Sequence, residues 1–204
     1  TDQPSANGGF AAIFTRDTPG DLNSNWTLSH RVTGDDMGIL DVGTQSEAGL
    51  DKNKNIRSVA VHGDTVILGK TDETNRVLNR HHFTGCAYVF ARDTQNTNAS
   101  APRWKQVQRL LASDYTDHLY QNGRLGYFGL SVAIDGDQMV VGAMNGEVDG
   151  YLVNANGAAY VFARDTPGDA FSNWTETARI TPDPDVDTYK RGYATERKNS
   201  AGVW

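Results

Sequence analysis

Gly157-Ala158-Ala159-Tyr160-Val161-Phe162-Ala163-Arg164-Asp165 is the stretch whose reading decides the fold, because the chain carries three versions of it. Gly85-Cys86-Ala87-Tyr88-Val89-Phe90-Ala91-Arg92-Asp93 is the second version and Gly9-Phe10-Ala11-Ala12-Ile13-Phe14-Thr15-Arg16-Asp17 the first. They begin at residues 9, 85 and 157, spacings of 76 and 72. Each is followed by a polar loop and a tryptophan, Trp26, Trp104 or Trp174. The segment after the tryptophan alternates, as in Trp104-Lys105-Gln106-Val107-Gln108-Arg109-Leu110 and Trp174-Thr175-Glu176-Thr177-Ala178-Arg179-Ile180. A second motif occurs twice, 73 residues apart, starting at Ser58-Val59-Ala60-Val61 and Ser131-Val132-Ala133-Ile134. Segments that keep their length while the spacing drifts mark fixed strands and variable loops, the pattern of a repeat protein.

Each unit is predicted to hold four strands. Ser131–Ile134 and Gln138–Ala143 are joined through Asp135-Gly136-Asp137, a strong hairpin signal because glycine accepts positive φ. The Ala-Tyr-Val-Phe strand is the third, and its small residues suit close approach of sheets. The tryptophan strand is the fourth, expected on the outside and half exposed. Unbroken apolar runs such as Met139-Val140-Val141 predict strands buried on both faces. A four-stranded unit of this length is similar to a propeller blade with long loops.

Phe128-Gly129-Leu130-Ser131-Val132-Ala133-Ile134, then Gly136-Asp137, then Val141-Gly142-Ala143 and Gly157-Ala158-Ala159-Tyr160-Val161-Phe162 together resemble the FG-GAP repeat. That repeat occurs in integrin α-subunit propellers and in extracellular proteins of microbes and algae. The resemblance is best over residues 126 to 180, weaker over 56 to 110, where Asn55-Ile56 stands in place of Phe-Gly, and reduced to a half copy over 9 to 32. It implies an all-β fold of tandem four-stranded antiparallel blades, a β-propeller or propeller-like array of about three units. The chain is read as one repeat domain, residues 1–204, with a half unit at about 9–33, units at about 34–112 and 113–182, and a half unit at about 183–204. In the last, Gly192-Tyr193-Ala194-Thr195 stands where Gly126-Tyr127-Phe128-Gly129 stands one unit earlier.

Composition narrows the function classes. The 204 residues carry 19 Lys and Arg against 25 Asp and Glu, a formal charge of −6, which argues against a nucleic-acid partner. No stretch approaches the ~20 apolar residues of a membrane-spanning helix. The 21 glycines against 6 prolines fit a chain that turns often between short strands. The chain opens at Thr1 without a signal-like apolar run and is expected to be a processed or excised polypeptide. Cys86 is the single cysteine, so an internal disulfide and a CxxC metal site are excluded; it is expected to be a small buried strand residue.

Candidate sites are few. Asn25-Trp26-Thr27 and Asn173-Trp174-Thr175 are N-x-[ST] sequons at the same place in two units, and Asn98-Ala99-Ser100 lies in the corresponding loop of the middle one. Asn25, Asn98 and Asn173 are the expected glycosylation sites. Integrin-type FG-GAP blades often carry a D-x-D-x-D-G calcium loop, which the resemblance extends to two poor copies here. One is Asn145, Glu147 and Asp149, with Gly150 following; the other is Asp183, Asp185 and Asp187. Neither continues into a convincing last carboxylate, and a solvated acidic turn accounts for each. Apart from Ca2+ at these turns, no cofactor is evident.

The five histidines, His30, His62, His81, His82 and His118, form only the pair His81-His82, in a segment read as a loop. No Gly-x-Ser-x-Gly, His-Glu-x-x-His or phosphate-binding glycine loop is present, and the chain is expected not to be an enzyme. The Arg-Asp pair at 16–17, 92–93 and 164–165 recurs in every unit, which predicts a structural task such as a salt bridge or turn anchor at the strand end. By the same argument Phe14, Phe90, Phe162, Tyr88 and Tyr160 are expected as core between blades.

The function expected from these features is a non-catalytic extracellular or cell-surface structural or adhesive glycoprotein, self-associating head to tail through incomplete terminal units into filaments or rings. The alternative is a binding module for carbohydrate or protein that uses the variable segments 70–84 and 144–156. A domain accompanying a hydrolase is a third possibility.

Overall fold

The computed structural model describes residues 11–32, 36, 56–71, 74–77, 80–95, 103–114, 124–144 and 157–181. All regular structure among them is β: β1 (Ala11–Arg16), β2 (Trp26–Val32), β3 (Ser58–His62), β4 (Thr65–Lys70), β5 (Thr74–Val77), β6 (Arg80–Arg92), β7 (Trp104–Leu110), β8 (Arg124–Phe128), β9 (Ser131–Asp135), β10 (Gln138–Ala143), β11 (Ala158–Arg164) and β12 (Trp174–Ile180). Among the described residues no helix is long and apolar enough to cross a membrane.

The third unit is one antiparallel sheet in the order β12-β11-β10-β9, the expected four strands. The second repeats it: β3 pairs β4, β4 pairs β6, and β6 pairs β7. The first described pair, β1 with β2, is the back half of the same sheet. The bulge recurs as well, falling between Ile13 and Phe14, Val89 and Phe90, and Val161 and Phe162. Both hairpins close where expected, with Gly63 and Gly136 at φ 55° and 56° as first turn residue, a conformation open to glycine. The tryptophan strands β7 and β12 lie outermost in their blades, as their alternation predicts.

Two expectations need correction. The segment 70–84 is not a loop: Thr74–Val77 pairs with the first residues of a 13-residue strand that runs on to Arg92. Arg80-His81-His82-Phe83 carries no apolar alternation, so nothing in its pattern announces a strand. The run Met139-Val140-Val141 is buried on one face only, with Val140 partly exposed, whereas Val66-Ile67-Leu68 in β4 is buried on both. The difference is one of neighbours, because the second unit is covered on both faces by described residues.

Each interface between units has its own core. On one face of the second unit, Val66, Leu68, Cys86, Tyr88, Phe90 and Trp104 pack with Val32 and with Ala11 and Ile13 of the first. On its other face, Ile67, Ala87, Val89 and Leu110 pack with Phe128, Met139, Val141, Tyr160, Phe162 and Trp174 of the third. The two interfaces match position for position. Tyr88, Phe90 and Trp104 take the places of Tyr160, Phe162 and Trp174, while Ala11, Ile13 and Val32 take those of Ala87, Val89 and Leu110. Cys86 is fully buried within the first of them, as expected of a small apolar strand residue.

Candidate functional site

The recurring Arg-Asp pair is the natural place to look for a function, and the fold employs it. Arg164, at the end of β11, donates from Nε to Asp137 of the β9–β10 hairpin at 2.7 Å. It also donates to the Asp169 carbonyl at 2.8 Å and to Thr65 Oγ1 of the neighbouring unit at 3.1 Å. Its guanidinium lies 4.3 Å from the centroid of the Trp174 ring, a cation–π contact. Arg92 reaches Asp64 of its own hairpin at 3.2 Å, and Arg16 lies 4.7 Å from the Trp26 ring centroid. The expected turn anchor is therefore present, although the arginine pairs with the hairpin aspartate rather than with the aspartate that follows it.

Asp137 is held below the ordinary carboxylate range, first by the Gly168 N–H and then by Arg164. A carboxylate whose pKa is lower in the folded chain stabilises the fold at pH above its unfolded value, near 3.8, and loses that contribution as pH falls through the folded value. Asp137→Asn is expected to lower stability at neutral pH, with the gap between variant and parent closing as pH falls from 5 to 2. Urea unfolding across that range measures it.

Polar contacts seal the interface between the second and third units. The Gln108 side chain brackets Trp174, accepting from its N–H at 2.6 Å and donating to its carbonyl at 3.0 Å. Ser58 donates to the Gly129 carbonyl at 2.8 Å. After β7, Ser113 bonds Glu176 through both its N–H and its hydroxyl, and buried Asp114 accepts from Tyr160 Oη and Arg179. Burial and the Asp114 charge push the Tyr160 hydroxyl well above the usual tyrosine range, so it stays a donor. Sequence reasoning missed Gln108, whose equivalents are His30 and Ala178; a contact made in one unit alone leaves no repeat signal.

The chain-specific features lie at the loop before each tryptophan strand. Residues 16–27 and 164–175 differ at only two positions and fold alike. Thr18 N–H donates to Ser24 Oγ at 2.7 Å and Thr166 N–H to Ser172 Oγ at 2.8 Å. Asp17 N–H donates to the Asn25 carbonyl and Asp165 N–H to the Asn173 carbonyl, both at 2.9 Å. Asn25 and Asn173 are exposed in both copies, together with the sequon threonines Thr27 and Thr175. Asn98 lies outside the described residues, as do all six suggested calcium ligands, Asn145, Glu147, Asp149, Asp183, Asp185 and Asp187. Among the described residues no group of three His, Cys, Asp or Glu is placed to hold a metal ion.

The segment from β7 to β11 is matched by a model of the FG-GAP repeat, over residues 104–162. The chain carries an FG-GAP repeat. The match runs from the last strand of one blade, through Phe128-Gly129, to the third strand of the next, so it spans the interface just described. The FG-GAP phenylalanine is its centre: Phe128 is buried edge-to-face against Tyr160 at 5.1 Å and Phe162 at 6.2 Å between ring centroids. Comparison with curated proteins gives no match.

Proposed function

We infer that this FG-GAP chain is a non-catalytic structural or adhesive glycoprotein of the cell exterior. One observation carries the reading: the same blade-to-blade interface is made twice, and the side chains that recur from unit to unit serve it. Val66/Met139, Leu68/Val141, Tyr88/Tyr160, Phe90/Phe162 and Trp104/Trp174 are interface core in both. A module whose recurring core residues serve addition of another like module is suited to building extended surface rather than to turning over a substrate.

The sequons fit this role. Trp174 is buried under the preceding blade while Asn173 beside it stays exposed, so a glycan on Asn173 is compatible with packed blades. Asn25 has the same loop geometry. Chain secreted from eukaryotic cells is expected to lose mass on treatment with a peptide N-glycosidase, with one step abolished by Asn25→Gln and another by Asn173→Gln. Fractionation of the source material is expected to recover the chain in the extracellular or surface fraction. An unchanged mass together with cytosolic recovery contradicts the proposal.

A further inference from the structure

The fold holds the sequon Asn173-Trp174-Thr175 at each of its residues. The Asn173 carbonyl accepts from Asp165 N–H at 2.9 Å and from Ser172 Oγ at 3.2 Å. The backbone N–H and carbonyl of Trp174 are both taken by the Gln108 side chain of the preceding unit, at 2.6 and 3.0 Å. The indole is buried, with the Arg164 guanidinium stacked on it. Trp174 and Thr175 belong to β12, opposite Arg164 and Ala163 of β11. Asn173 and Thr175 are exposed, but the segment that carries them is fixed.

Exposure alone does not make the asparagine reactive. In glycan transfer the Asn173 amide nitrogen attacks the anomeric carbon of a lipid-diphosphate-linked oligosaccharide. An N–C bond forms, the C–O bond to the diphosphate breaks, the lipid diphosphate leaves, and an amide proton passes to a base of the transferring enzyme. The N-x-[ST] pattern means that this enzyme reads the amide and the hydroxyl two residues on together. Extended backbone keeps residues two apart separated by ~7 Å, so bringing both groups into one active site bends the segment. Bending it breaks both Gln108 bonds, lifts Trp174 out of β12 and draws its indole from the core. We propose that packing of the third unit on the second closes this site: Asn173 accepts a glycan while Trp174 is free of Gln108, and not afterwards. Transfer therefore precedes blade packing, and the free energy of local opening sets the accepting fraction of a folded chain. A glycan already attached leaves from an exposed residue, so packing proceeds beneath it. The inference rests on the glycoprotein reading above and adds to it the order of the two events.

The test gives the full chain, made without glycans, to an oligosaccharyltransferase with its lipid-diphosphate donor. Every acceptor carries Asn25→Gln and Asn98→Gln, so that one mass step reports Asn173. The chain with its packing intact is compared with Gln108→Ala and with the double variant Gly85→Ala/Phe128→Ala, whose loss of the β spectrum is checked by circular dichroism. The packed chain is expected to be modified at least about tenfold more slowly than the double variant, which corresponds to an opening cost of about 1.4 kcal/mol or more. Gln108→Ala, with the β spectrum retained, is expected to fall between them. Equal rates for the packed chain and the double variant overturn the proposal and leave the glycoprotein reading standing, because the sequon is then modified. A Gln108→Ala chain no faster than the packed one overturns the part assigned to Gln108. An unfolded double variant that is not modified at all overturns the proposal together with the glycan at Asn173.

Discussion

Phe128→Ala is expected to destabilise the fold by about 3–5 kcal/mol, the range for removing a fully buried phenylalanine from a packed core. The ring is almost completely inaccessible and sits in the core shared by the second and third units. Its edge-to-face contacts with Tyr160 and Phe162 are lost with it, and such pairs contribute about 0.5–1.5 kcal/mol beyond burial. For a chain of this length each kcal/mol moves Tm by roughly 2–4 °C, so a fall of about 6–20 °C is expected in thermal unfolding. Phe14→Ala is the comparison. The same residue type, half exposed among the described residues, is expected to cost less than about 1 kcal/mol. Equal losses would mean that Phe128 is not the hub between the blades.

Gly85→Ala is expected to be nearly as damaging, although it adds one methyl group. Gly85 has φ +73°, and a Cβ there would lie 2.1 Å from the Phe128 carbonyl oxygen and 2.8 Å from its nitrogen. The obstruction is backbone, which cannot swing aside as a side chain does. Strain at positive φ costs about 1–3 kcal/mol and overpacking about the same again, so roughly 2–6 kcal/mol is expected. Gly63→Ala separates the two contributions, because Gly63 has φ +55° with nothing within 4 Å of the added carbon. It should show the strain alone, about 1–2 kcal/mol. Denaturant unfolding of the pair measures the difference; a Gly63→Ala loss as large as that of Gly85→Ala would deny the close approach of the Phe-Gly turn to β6.

The blade was legible in the sequence because strand alternation and repetition are both properties of single residues in order. The Gly-Asp turns, the Tyr-Val-Phe strand and the outer tryptophan strand are each where the repeat puts them. Burial was not legible to the same degree. Val140 and Ile67 occupy one position in two units, and only a neighbour distinguishes them: Ile67 is covered by the third blade, while Val140 stays partly exposed. Phe14 differs from Phe90 for the same reason. The strand pairing at 74–77 was hidden by its polar composition, the Gln108 contact by its occurrence at one described interface, and the Asp114 contact by the distance of its partners in sequence, 46 residues to Tyr160 and 65 to Arg179. The Arg-Asp recurrence did report its structural task. Its true partner, the hairpin aspartate, is 27 residues away in sequence and needed the sheet register to be found.

The central claim is that blades stack through one repeated interface that buries the tryptophan of the second and third units, while Trp26 of the first is exposed among the described residues. Iodide quenching of single-tryptophan variants at submicromolar concentration tests it most directly, with Trp26, Trp104 or Trp174 kept in turn and the other tryptophans replaced by phenylalanine. The account predicts strong quenching of Trp26 and marked protection of Trp104 and Trp174, in line with exposures of 57%, 4% and 2%. Similar quenching at all three positions, in variants that retain the β spectrum of the parent, would contradict it.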